Sequence, residues 1–240
     1  MSELGILGFG ALCVGANKKV GLENKVPTRT IPKNYRNVTG VAALNKAVGK
    51  AMFESTLERD FLSLLEFDTG VESFEVQPIR IEWVDAKDKD RSYTPDVLVY
   101  YHQKDQRPTL FEVKYRSELA EKWPEFKPKF KAAIRFAKQE FWRFKLMTDR
   151  EIRTPYLDSV KFLLPYVRQG AADEAHMDLL IEKLQVLGMA PPSSPMQNIY
   201  QDQWNQATLI PTLWYLIGTF QIGCDLNQKL TMSSKIWSLQ

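Results

Sequence analysis

The chain is poor in the residues that build disulfide frameworks, zinc sites and histidine chemistry. Its 240 residues include 2 cysteines and 2 histidines. Cys13 and Cys224 are too few and too far apart for a disulfide framework or a zinc-ligand spacing, and read as free thiols in a reducing cytoplasm. With only His102 and His176, a histidine-based metal centre or catalytic triad has little to draw on. No uninterrupted apolar run approaches the ~20 residues of a membrane span, so no membrane role is expected. The apolar segment 4–14 has no basic residue ahead of it, and a secretory leader is not expected either.

What is present suits a folded enzyme. Hydrophobic residues make up 44% of the chain, with 13 Phe, 9 Tyr and 6 Trp, enough for one sizeable domain and a smaller one. Net charge is only +3, but it is unevenly spread. Residues 18–50 carry Lys18, Lys19, Lys25, Arg29, Lys33, Arg36, Lys46 and Lys50 against the single acid Glu23, and are broken by Gly21, Pro27, Pro32 and Gly40. This reads as a basic N-terminal arm over 1–49 without a core of its own. It serves either as a solvating tail or as a sequence-independent contact for a phosphate backbone.

Two apolar runs joined by a polar turn carry the chemistry. Tyr93-Thr94-Pro95-Asp96 opens the first, and Phe111-Glu112-Val113-Lys114 closes the second. Side chains two apart on a strand share a face, so Glu112 and Lys114 project together while Val113 points the other way. Two carboxylates and an ammonium at neighbouring strand ends form a place where a divalent metal and a phosphodiester can meet; an ordinary solvated strand edge is the other reading of the same residues. Hard cations take oxygen ligands, and a lysine beside them orients or deprotonates water or offsets transition-state charge. An acid two before a lysine also occurs at Glu23, Asp85 and Glu125, but in polar or proline-flanked surroundings without an aspartate-bearing strand ahead.

Upstream, the spacing of Leu57, Phe61, Leu64 and Leu65 predicts an amphipathic helix over 53–67. Glu58 borders its apolar stripe. Two readings of Glu58 stand at this point: a half-buried metal ligand, or a surface acid paired with Arg59 or Lys50. Strand-like runs at 71–77 and 79–84, separated by Pro78, lead through a charged turn at 85–91 to the Asp96 strand. After Glu112 comes a long helical pattern with Phe126, Phe130, Ile134, Ala137, Phe141 and Phe144 on one face. Lys127, Lys131, Arg135 and Lys138 line the other, either merely solvated or tracking a DNA strand. A short strand at 144–148 closes the sheet.

Beyond residue 169 a second unit is expected. It has a helix over 173–187, a linker at 191–195, a buried helix over 207–217, and runs at 220–226 and 235–239 flanking a polar tip, as in a two-stranded wing. Lys229 and Lys235 are its only basic residues after Lys183. That sparse charge favours contact with protein partners over groove reading.

The order of a Glu-bearing helix, a strand with Asp, a strand with Glu-x-Lys and then a helix resembles the PD-(D/E)xK restriction-endonuclease-like core. The block from Thr30 to Gly40, that from Phe53 to Phe61, the two strand motifs, and Thr148-Asp149-Arg150-Glu151-Ile152 are similar to the TnsA family, endonuclease subunits of heteromeric DNA transposases. The resemblance covers residues 29–237. It implies an α/β fold, with a central mixed sheet flanked by helices over 50–168 and a small winged-helix-like, partner-binding domain over 169–240.

The same resemblance implies that Glu58, Asp96 and Glu112 are the active-site acids and Lys114 the catalytic lysine. Asp96, Glu112, Glu58 and the Val113 carbonyl would hold Mg²⁺, with Mn²⁺ as an alternative. Some TnsA proteins have glutamine where this chain has Glu112. DNA contacts are expected from Lys33, Arg36, Arg116, Lys127, Lys131 and Arg135. The expected partners are transposon-end DNA, a TnsB-like DDE transposase and a TnsC-like AAA+ ATPase. The expected cut is on the non-transferred strand at the 5′ side, leaving a 5′-phosphate and a 3′-hydroxyl. A stand-alone restriction or repair nuclease on the same core, and a non-catalytic DNA-binding adaptor, are the alternatives.

Overall fold

The computed structural model describes residues 40–239 apart from 86 and 172. Most of the expected basic arm, with Lys33, Arg36 and Cys13, lies outside the described residues. Strands β1 (Gly40–Ala42) and β2 (Ala51–Phe53) pair antiparallel and lead to helix α1 (Thr56–Phe67). Ser55 caps α1, its hydroxyl accepting from the Glu58 N–H at 3.1 Å. The Glu58 carboxylate reaches back to the Glu54 N–H at 2.7 Å and the Ser55 hydroxyl at 3.1 Å. This is a variant of the Ser-x-x-Glu capping box, and it fixes both the start of the helix and the direction of Glu58.

Strand β3 (Val71–Val76) follows, then a hairpin of β4 (Ile81–Val84) and β5 (Asp90–Tyr93). Next come β6 (Val97–Tyr101), β7 (Thr109–Lys114), the long helix α2 (Arg116–Gln139) and β8 (Arg143–Thr148). The central sheet has the order β3-β6-β7-β8. It is antiparallel except for β7 and β8, which run parallel with Glu112 opposite Leu146 and Lys114 opposite Thr148. A parallel pair needs a crossover, and α2 supplies it. The expected closing strand is β8.

Alternation sorts the sheet's side chains between two cores. Val97, Val99, Phe111 and Val113 pack with Leu57, Phe61 and Leu65 of α1. Leu98 and Leu110 pack with Ala132 and Ala133 of α2. Glu112, even-numbered like Leu110, therefore faces α2, and Val113 faces α1.

The helix after β7 differs from its expected pattern. It is broken at Lys122, two residues ahead of Pro124, and contains Pro128 as well; each proline removes a backbone donor. It ends at Gln139. Phe141, with φ 59° and 75% exposed, turns the chain out of the helix, and Phe144 sits in β8 against Phe130, ring centroids 5.8 Å apart. Ile134 is exposed. Helical periodicity runs on past a stop that is set by a left-handed residue, which the apolar spacing does not register.

Short helix α3 (Asp149–Ile152) is capped by Thr148 and Glu151. Helix α4 (Pro155–Gln169) then leads to α5 (Glu174–Leu187), β9 (Met189–Ala190), α6 (Ser193–Ile199), α7 (Gln203–Gly218), β10 (Ile222–Cys224) and β11 (Ile236–Ser238). Gly188, with φ +70°, ends α5 and turns it into β9. The three strands form a sheet of order β10-β11-β9. The stretch expected as a linker at 191–195 instead opens α6, with Pro195 buried, because proline is compatible with a helix's first turn.

Val160 and Leu163 of α4 share one core with Leu180, Leu184, Leu209 and Leu213. Phe67, at the end of α1, joins that core through Tyr156 and Phe220 at centroid distances of 6.2 and 5.3 Å. No helix among the described residues is long and apolar enough to cross a membrane.

Candidate active site

Asp96 stands one residue before β6. Its N–H donates to the Phe111 carbonyl at 3.1 Å, and its carbonyl accepts from the Gln77 N–H at 2.8 Å. The backbone is thus held between the two neighbouring strands, which leaves the side chain little freedom. Asp96 Oδ2 accepts the Val113 N–H at 2.7 Å. Glu112, 1% exposed, accepts from the Tyr93 hydroxyl on Oε2 at 2.6 Å. Its Oε1 lies 3.1 Å from Lys114 Nζ and 3.3 Å from Lys129 Nζ. Lys114 Nζ also donates to the Val113 carbonyl at 2.9 Å and lies 3.5 Å from Asp96 Oδ2.

Glu58, Asp96, Glu112 and Lys114 line one open cleft of about 640 Å³. The structure therefore brings together all four side chains singled out from the sequence. Of the expected DNA-contact residues, Arg116, Lys127, Lys131 and Arg135 are exposed along α2, outside this cleft.

Electrostatics in the cleft is set by burial and by mutual charge. Burial pushes the Asp96 carboxyl well above the usual carboxylate range, and the Glu112 charge adds to this; Lys114 opposes it. Burial also raises Glu58, against the Glu54 N–H and the Lys114 charge. Burial works to lower the Lys114 ammonium, but Asp96, Glu112 and Glu58 outweigh it and hold the pKa above its ordinary value. The Tyr93 hydroxyl is raised by burial and then by the Glu112 and Asp96 charges, so it remains a donor.

Among the described residues, no group of three or more His, Cys, Asp or Glu side chains is gathered at metal-ligand spacing. The donor set nevertheless fits a hard cation. Oxygens of Asp96, Glu112 and the Val113 backbone converge on the Lys114 ammonium, a positive charge in an all-oxygen nest such as Mg²⁺ or Mn²⁺ also favours.

Two residues of this site escaped the sequence reading. Lys129 bonds Glu112 and lies over the rings of Phe126 (4.4 Å), Tyr93 (4.9 Å) and Phe130 (5.3 Å). Its signal was present: three residues after Phe126 and four before Ala133, it falls on the buried face of α2, not the basic one. Tyr93 ends β5, and only the hairpin brings its hydroxyl to Glu112. Glu54 lines the cleft as well, accepting from Gln77 Nε2 at 2.9 Å.

A mixed sheet covered by helices on both faces, with Asp and Glu-x-Lys meeting at the ends of adjacent strands, is compatible with the restriction-endonuclease-like class. Residues 68–149 match the family model described as TnsA-like endonuclease N terminal. The match includes Tyr93, Asp96, Glu112, Lys114 and Lys129; Glu58 lies ahead of it. No curated protein matches the sequence.

Proposed function

We propose that the chain is the endonuclease subunit of a heteromeric DNA transposase, hydrolysing a phosphodiester of the non-transferred strand at the 5′ side of transposon ends. The observation that carries this is the meeting of Glu58, Asp96, Glu112 and Lys114 in one cleft, three of them inside the TnsA-like match. Asp96, Glu112 and the Val113 carbonyl, supported by Glu58, would hold Mg²⁺ or Mn²⁺. Such an ion supplies an acidified water and neutralises phosphate charge. The chain's own residues do the positioning. Burial beside Asp96, Glu112 and Glu58 leaves the Lys114 pKa raised; in this reading its ammonium orients water and offsets charge. Tyr93 and Lys129 fix the rotamer of Glu112 from two sides.

We read the C-terminal unit as winged-helix-like. Its order of α5, β9, α6, α7, β10 and β11, with β11 central in the sheet, supports this. The tip between β10 and β11 stands as the wing. Its modest charge suits docking to a TnsB-like DDE transposase or a TnsC-like AAA+ ATPase, with the complex acting on DNA in the cytoplasm, at the nucleoid.

The test is a reconstituted reaction. Purified protein, the proteins encoded by the neighbouring reading frames and end-bearing DNA are combined with Mg²⁺. The expected product is a partner-dependent 5′-side nick with a 5′-phosphate and a 3′-hydroxyl. Efficient cutting without partners would instead favour a stand-alone nuclease, and no cutting in the full mixture a binding adaptor.

Tyr93→Phe is expected to weaken both cleavage and Mn²⁺ affinity by about 10–100-fold, since it frees a carboxylate that its neighbour orients. Isothermal titration with Mn²⁺ separates this from misfolding, because a merely destabilised variant would bind at unchanged affinity below its Tm.

A further inference from the structure

A second hollow, of about 560 Å³, opens beside α1 and the first turn of α4. At its base is Asp60, 3% exposed. Three cations converge on that one carboxylate: Lys161 Nζ at 2.7 Å from Oδ1, Arg153 Nε at 3.1 Å from Oδ2, and Arg59 at 3.6 Å. Even with Asp158 on the rim, the hollow keeps a net positive charge. The three cationic side chains remain 40–45% exposed. Thr56 and Thr154 line the same space, and the N-terminal end of α4, 15 residues long, borders it.

Hydrogen bonds tie the hollow to the elements that carry the site residues. Arg153 Nη2 donates to the Thr56 hydroxyl at 2.9 Å and to the Tyr115 hydroxyl at 3.2 Å. Thr56 lies two residues before Glu58, and Tyr115 directly follows Lys114. The hollow and the active-site cleft have no lining residue in common, so Arg59, Arg153 and Lys161 form a basic site separate from the cleft. A guanidinium fork with neighbouring ammonium and hydroxyl donors is the chemistry that holds a phosphate.

We propose that this hollow takes a backbone phosphate of the DNA substrate, at a contact separate from the catalytic cleft. The proposal rests on the nuclease reading for its substrate, but its test involves no cleavage. Arg59 is the residue to change, because Arg153 and Lys161 still compensate Asp60 after its loss. Binding of the full chain to a duplex of arbitrary sequence is followed by fluorescence anisotropy in EDTA, from 50 to 200 mM salt.

Arg59→Gln is expected to bind more weakly, with the slope of log K against log salt shallower by about 0.9, one phosphate contact. The gap to wild type then narrows about 3.5-fold across that salt range. An unchanged slope with an unchanged Tm overturns the proposal, as does a wild-type chain that fails to bind duplex at 50 mM salt. An unchanged slope with weaker capture of a transposition partner would assign the hollow to protein and overturn it equally.

A second measurement needs no variant. Bound DNA should protect Lys161 from acylation by an amine reagent, read by peptide mass; full reactivity of Lys161 while Lys127 is protected overturns the proposal. A chain that passes both tests but never cuts DNA refutes the nuclease reading alone.

Discussion

Asp96→Asn is expected to abolish strand cleavage, by about a thousandfold or more, while making the metal-free chain harder to melt. The two effects share one cause. Burial and the Glu112 charge raise the Asp96 carboxyl well above its ordinary pKa, so the folded chain holds that proton to a higher pH than the unfolded chain does. Stability is then lost as pH rises from the ordinary carboxylate value through the raised folded one. Asparagine removes this penalty, and its amide oxygen still accepts the Val113 N–H. Lys114 retains Glu112 as a partner at 3.1 Å. Thermal unfolding in EDTA at pH 5 and pH 8 should show a variant more stable than wild type at pH 8, by at least ~2 °C, with the difference shrinking at pH 5. A variant that melts lower at pH 8 would mean that the ion pair with Lys114 outweighs desolvation. A variant that still cuts DNA would remove Asp96 from the chemistry.

Glu112→Ala should have the opposite effect on stability. This 1%-exposed carboxylate is the common acceptor of Tyr93, Lys114 and Lys129. Its deletion leaves a buried hydroxyl and two largely buried ammoniums with one partner fewer. Breaking such a buried pair costs about 3–5 kcal/mol, a fall in Tm of roughly 6–20 °C for a chain of this size. Glu112→Gln keeps an acceptor for Tyr93 and should lose less than half of that. Equal losses for the two variants, measured by calorimetry, would show that the charge and not the hydrogen bonding holds the cluster together.

The sequence made much of the core legible because its local rules are strong. Val97 to Tyr101 and Thr109 to Lys114 are short continuous runs of strand-type residues, and strand geometry puts Glu112 and Lys114 on one side while Val113 enters the α1 core. Glu58 was ambiguous in sequence, between metal ligand and surface acid. Its direction is set by Ser55, a cap whose spacing to Glu58 was visible but whose significance depends on where the helix begins. Lys129 was overlooked because lysines crowd α2, and only its register with Phe126 marks it out. The stop at Gln139 depends on one left-handed residue, Phe141, and no periodicity reports it.

The amino-acid order by itself determined the chemistry available: two carboxylates and a lysine at adjacent strand ends, and few histidines. Those are local properties, written in residue type and spacing. Which charges meet was decided by tertiary structure alone. Tyr93 comes to Glu112 across 19 residues, and Arg153 to Asp60 across 93. Such contacts exist only once the hairpin, the crossover helix and α4 have packed, because low-dielectric burial turns scattered polar residues into a single electrostatic unit.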